Sequence, residues 1–179
     1  MAKYFIDQYI IFGVKLLEDN IVELAAVKLN ETLEEISCFN QSIESNKSII
    51  DILPKFEKWI KEGKADEKLM YSWERNHRNK IIEEVKAKNY KGKINDLLLD
   101  FDSLQHVFKN MKDNKLYTVK DAMKKIGLEY IKEMNLTEEV NNVVKIFIEI
   151  YGKWIHPGNP VFPKPDEKIF TGKKYWLEK

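Results

Sequence analysis

Cysteine, histidine and glycine are scarce: 179 residues include one cysteine, three histidines and seven glycines. A single cysteine, Cys38, excludes an intramolecular disulfide and a multi-cysteine zinc site, which fits a reducing compartment. Cys38 stands in an apolar–polar alternation and is expected to be a small buried hydrophobe rather than a reactive thiol. His77, His106 and His156 lie far apart and none has a spacing partner for a metal site, so each reads as a surface or structural residue. With so few glycines there is little room for a phosphate-cradling loop, and no Walker, dinucleotide-binding or nucleophile-elbow motif is present.

Also lacking are a membrane-length apolar run, a cleavage site after MAKYFIDQYIIFG, internal repeats and low-complexity tracts. A cytoplasmic protein with no membrane partner is expected, and the abundance of Lys, Ile and Asn fits an AT-rich bacterial genome. An excess of either charge is missing too: 30 Lys and Arg oppose 29 Asp and Glu. Such balance gives no global field to hold a polyanion, so any nucleic-acid contact must come from a local patch.

What is present suits one folded domain. With 44% hydrophobic and 12% aromatic residues the chain can bury a sizeable core. Residues 3–13 (KYFIDQYIIFG) are rich in β-branched and aromatic residues and read as a strand ending at Gly13. Residues 21–29 follow a Glu-Asp-Asn turn as a second strand, and residues 35–43 form a third, which together suggest an antiparallel meander. The period then changes to that of a helix, with Ile49, Ile50, Leu53, Phe56, Trp59 and Ile60 on one face and a stop near Gly63.

A short strand over 68–73 leads into a helix over 75–88. Residues 96–101 (DLLLDF) read as a buried strand, which would set Asp96, Asp100 and Asp102 on one solvated strand face. Leu104, Val107 and Phe108 continue at helical spacing. Thr118 starts a further helix that stops at Gly127, and Thr137 starts the last one, with Glu138 and Glu139 favourable to its dipole. Strands first and then alternation with helices define an α/β fold.

The order of these segments resembles the DnaQ-like DEDD 3′-to-5′ exonucleases of the ribonuclease H-like superfamily. Tyr4-Phe5-Ile6-Asp7 is similar to that family's opening Φ-Φ-D-x-E strand, and residues 21–29 (IVELAAVKL) to its I-I-E-I-A-A-V-K-L strand. Residues 56–60 (FEKWI) look like the helix before the second motif, and Tyr71-Ser72-Trp73 resembles the S-W-G-x-x-D entry to it. Residues 102–108 (DSLQHVF) resemble D-L-Q-x-x-F, and residues 117–128 resemble the S-L-x-x-A-L-x-x-L-G-L helix. The resemblance covers about residues 3–151. It implies a mixed sheet of three antiparallel strands followed by parallel ones, flanked by helices, in a domain over 1–152.

Such enzymes use four carboxylates on three segments to hold two divalent ions, with a histidine as general base. Aligned on these motifs, Asp7 is followed by Tyr9 in place of the second carboxylate. His77, or Asn76 after a one-residue slip, replaces the aspartate of the second motif. Asn141 or Asn142 stands at the last aspartate, with Leu136 or Thr137 at the histidine. Only Asp7 remains, so the resemblance implies an inactive member with no cofactor; the alternative is a divergent Mg- or Mn-dependent 3′-to-5′ exonuclease on DNA or RNA that uses Asp7. Without ions, Asp7 is expected to accept hydrogen bonds from Asn141 or Asn142.

Lysines cluster at Lys86, Lys88, Lys91 and Lys93 and again at Lys109, Lys112 and Lys115, where solvated faces explain them. From residue 153 the composition shifts, with Pro157, Pro160, Pro163 and Pro165 forbidding helix, so residues 153–179 read as a C-terminal arm. Lys168, Phe170, Lys173, Lys174, Tyr175 and Trp176 could stack bases while contacting phosphates, or dock on a protein. A protein partner or single-stranded nucleic acid is the expected ligand.

Overall fold

In the computed structural model, the described residues are 8–63, 68–132 and 134–151, with the backbone of 155–156 and 159–160. Strand β1 (Gln8–Leu17) turns into β2 (Asn20–Asn30), which turns into β3 (Glu35–Ser42), each pair antiparallel. β4 (Lys68–Ser72) runs parallel to β1 on its other side, and β5 (Phe101–Ser103) runs parallel to β4. The sheet order is β3-β2-β1-β4-β5, the mixed arrangement expected from the sequence. Two short segments, β6 (Ile155–His156) and β7 (Asn159–Pro160), pair with each other.

Because side chains alternate across a strand, β1 feeds two cores. Ile10, Phe12 and Val14 point to one face, where they meet Phe56, Trp59 and Ile60 of α1 (Ile49–Lys61), Ile81 and Val85 of α2 (Arg75–Ala87), and Ile94 of α3 (Ile94–Leu97). Tyr9 and Ile11 point to the other. There they meet α4 (Leu104–Met111), α5 (Val119–Lys125) and Val140, Val143 and Phe147 of α6 (Leu136–Tyr151). Two of the helix starts are capped as their sequences suggest. Asp51 and Ser48 form a capping box on α1, and Thr118 Oγ1 accepts the Asp121 N–H at 3.2 Å on α5.

Three expectations are corrected. β1 does not stop at Gly13 but pairs on through Val14 and Lys15, shifts register between Lys15 and Leu16, and the chain reverses at Glu18 and Asp19, whose φ angles of 49° and 67° make the turn. Residues 96–101 are not one strand. Leu98 donates to the Ile94 carbonyl at 2.9 Å in a helical turn, which leaves Asp96 exposed and Asp102 buried. Cys38 is exposed, because β3 is an edge strand that α6, lying over β1 and β2, does not cover.

Candidate functional site

Three segments converge where β1 passes under the starts of α2 and α6. At their meeting point β1 carries Gly13. A Cβ added there would stand 3.1 Å from Val140 Cγ2, 3.3 Å from Leu136 Cδ1 and 3.8 Å from His77 Cε1. Val140 and Leu136 are one turn apart on the face of α6 that meets the sheet, and both are buried. His77 is in the first turn of α2, where its N–H bonds the Glu74 carbonyl at 3.2 Å.

Electrostatically this junction is quiet. Burial pulls the His77 imidazole down to about 4, so it is neutral at physiological pH. Its Nδ1 is shut off from solvent and has no hydrogen-bond partner among the described residues. The positive end of the α2 dipole acts in the same direction.

The strand that leads to α2 is tied to two further segments. Trp73 Nε1 donates to the Tyr117 carbonyl at 3.1 Å, and Gln105 Nε2 donates to the same carbonyl at 2.8 Å. The Trp73 carbonyl accepts the Gln105 N–H at 3.0 Å and the Ser103 hydroxyl at 2.9 Å. Residues 71–73, 102–108 and 117–128, each matched separately to a family motif, therefore form one bonded unit.

No family model matches the chain, and no curated protein matches it. Solved structures do. The nuclease domain of 3′hExo, a DEDDh family member, bound to rAMP, is 15% identical and superposes with a TM-score of 0.68 over 85% of this chain and 95% of that one. The chain has the fold of a DEDDh nuclease domain. A structure of 3′-end recognition of the histone mRNA stem-loop by 3′-exonuclease is 14% identical, with a TM-score of 0.62 over 90% of this chain and 74% of that one.

Within this DEDDh fold the sequence-derived site residues are dispersed. Asp7 lies outside the described residues, as do Lys168, Phe170, Lys173, Lys174, Tyr175 and Trp176 of the arm. Tyr9 is buried four residues before Gly13, about 13 Å away along the strand, and its ring packs 5.2 Å from Phe147. Burial pushes its phenol up to about 12. Asn141 is exposed, whereas Asn142 is buried and donates to the Ile131 carbonyl at 2.9 Å, pinning the loop that precedes α6. Of the substituted positions, His77 is at the junction with Leu136, while Tyr9 and Asn141 are not.

Gly13 and Val140 belong to no motif, so the sequence gives no signal that they meet. The antiparallel register sets Gly13 against Ala25. Lys15, two residues on, is exposed. Divalent hard ions need oxygen ligands. Gly13, Leu136 and Val140 supply none and His77 only an imidazole, so this junction does not fit Mg²⁺ or Mn²⁺. Among the described residues no group of three or more His, Cys, Asp or Glu side chains could hold a metal ion. Nor is any described helix long and apolar enough to cross a membrane.

Proposed function

We propose that this chain is an exonuclease-like protein that does not hydrolyse phosphodiesters by the two-metal route and acts as a protein- or nucleic-acid-binding module. The observation that carries this reading is the junction of β1, α2 and α6, where Gly13, Leu136, Val140 and an uncharged His77 meet. Two-metal hydrolysis needs concentrated negative charge there, both to attract the ions and to activate water. An apolar contact performs neither task.

The test is incubation of the full chain with labelled single-stranded DNA and RNA in Mg²⁺ or Mn²⁺, with anisotropy on the same oligonucleotides at low and moderate salt. The expected result is intact oligonucleotide at all times. Cleavage that vanishes in Asp7→Ala would establish the divergent metal-dependent exonuclease instead. Salt-independent absence of binding would remove the nucleic-acid arm and leave the protein partner.

A further inference from the structure

Positive charge is concentrated on one stretch of the chain. Residues 109–132 hold seven lysines against Asp113, Asp121 and Glu129, a net of +4 in a chain whose whole net charge is +1. Among the described residues only one of these lysines is in an ion pair, Lys125 with Asp113 at 3.4 Å. The same stretch exposes Leu116 and Ile131, which are 58% and 57% open to solvent, and Met134 just beyond it is 88% open.

The fold brings the two ends of this stretch together. Gly127, at a φ of 77°, ends α5, and the Leu128 N–H bonds back to the Met123 carbonyl at 2.9 Å. The returning chain reaches the first turn of the helix, where Lys120 Nζ lies 5.7 Å from the centre of the Tyr130 ring. Lys115 and Leu116 lead into that turn and Ile131 and Lys132 lead away from it, so two lysines and two exposed aliphatic residues are neighbours at the start of α5. Both connections are held in place. Trp73 and Gln105 bond the Tyr117 carbonyl, Asn142 Nδ2 bonds the Ile131 carbonyl at 2.9 Å, and the Met134 N–H donates to Glu138 Oε2 at 2.6 Å.

We propose that the start of α5, with the chain on either side of it, docks an acidic protein segment that carries apolar side chains; this rests on the reading of the chain as a binding module. Exposed aliphatic residues are stabilised by burial against other apolar side chains, and the lysines around them select aspartate and glutamate over cationic partners. Because the two connections are already fixed, little ordering is needed when the partner arrives. A nucleic acid fits this surface less well. Its bases seek rings to stack on, and Leu116, Ile131 and Met134 have none. The neighbouring tyrosines are committed: the Tyr117 ring meets Phe108 edge-on at 5.4 Å with its hydroxyl on Asp113 at 2.6 Å, and Tyr130 lies under Lys120.

The experiment is anisotropy and amide NMR titration of the full chain with a labelled peptide of about fifteen residues, leucine at the spacing of one helical face and glutamate elsewhere. Comparison ligands are the same peptide with lysine for glutamate, a polyglutamate peptide and single-stranded DNA. The acidic leucine peptide is expected to bind and to shift the amides of residues 112–118 and 128–132. Binding should weaken about tenfold in Leu116→Ser with Ile131→Ser and in Lys115→Glu with Lys132→Glu. It should be unchanged in Leu99→Ser, a control that is 69% exposed and follows α3 on the other face of the sheet. Absence of binding overturns the proposal, as does equal binding of polyglutamate or tighter binding of DNA at the same amides. Oligonucleotide cleavage by a chain that still takes the peptide would sink the non-hydrolytic reading and leave this surface standing, whereas intact oligonucleotide with no peptide bound would do the reverse.

Discussion

Gly13 and Val140 are in contact across the β1–α6 interface so closely that a Cβ on the glycine would stand 3.1 Å from Val140 Cγ2. The glycine is there for space rather than for backbone freedom, since it lies inside a regular strand. That contact seals the place where the three segments meet.

Placing a carboxylate at this position should not create a metal site. Gly13→Asp puts an unpaired charge against Val140 and Leu136, and a loss of about 2 to 4 kcal/mol in urea unfolding is expected, with no gain of nuclease activity. Gly13→Ala should cost about 1 kcal/mol, and a double-mutant cycle with Val140→Ala should show favourable coupling. Additive effects would mean that the two residues do not crowd each other.

Acid should weaken the fold through His77. Its imidazole titrates at about 4 in the fold against an ordinary 6.5, so between those values the unfolded chain binds a proton that the folded chain does not. Stability is complete above about pH 6.5 and falls as pH drops toward 4, by up to about 3 kcal/mol from this group. His77→Leu should flatten that part of the profile. Identical pH dependence of the urea midpoint in parent and variant would rule out a buried neutral imidazole.

Lys28 is 1% exposed and spends its charge on the end of α1, donating to the Trp59 carbonyl at 2.5 Å and the Glu62 carbonyl at 3.1 Å. Its ammonium also sits 4.6 Å from the centre of the Trp59 ring. Burial lowers its affinity for a proton, and the negative end of the helix dipole offsets the cost of its charge. Lys28→Met keeps the stem but takes the ammonium from the Glu62 carbonyl and leaves the Trp59 carbonyl only the Glu62 N–H at 3.3 Å, so a loss of about 1 to 3 kcal/mol is expected by thermal or urea unfolding. A neutral result would mean that water replaces the ammonium.

Glu57 holds the α2–α3 connection from below. Its Oε1 accepts the Ile94 N–H at 2.9 Å, and burial together with the Glu57 carboxylate pushes the Tyr90 phenol up to about 12. Glu57→Leu should destabilise by about 2 kcal/mol and lower the Tyr90 titration, followed by NMR, only in part, since burial is the larger cause of its rise. An unmoved Tyr90 would disconnect the two groups.

Much of the fold was legible because its signals are local. The helical stripe of α1, the Thr118 start of α5 and the turn that starts β2 each follow from a few residues, and the order of segments pointed to the right sheet. Residues 96–101 misled because a short apolar run suits a strand or a tight helical turn equally. Cys38 misled because alternation tells which side a residue faces, but not whether another layer covers that side.

The sequence by itself determined most of the elements and their order, since those depend on spacing and residue type alone. Which residues share a point in space was decided by the tertiary structure. The register of β1 against β2 and the seating of α6 on the sheet bring Gly13, Leu136, Val140 and His77 together and leave Tyr9 and Asn141 elsewhere. A shift of a few residues along one strand is nearly invisible to pattern matching, yet it moves a side chain by about 3.3 Å per residue and so selects which groups can meet.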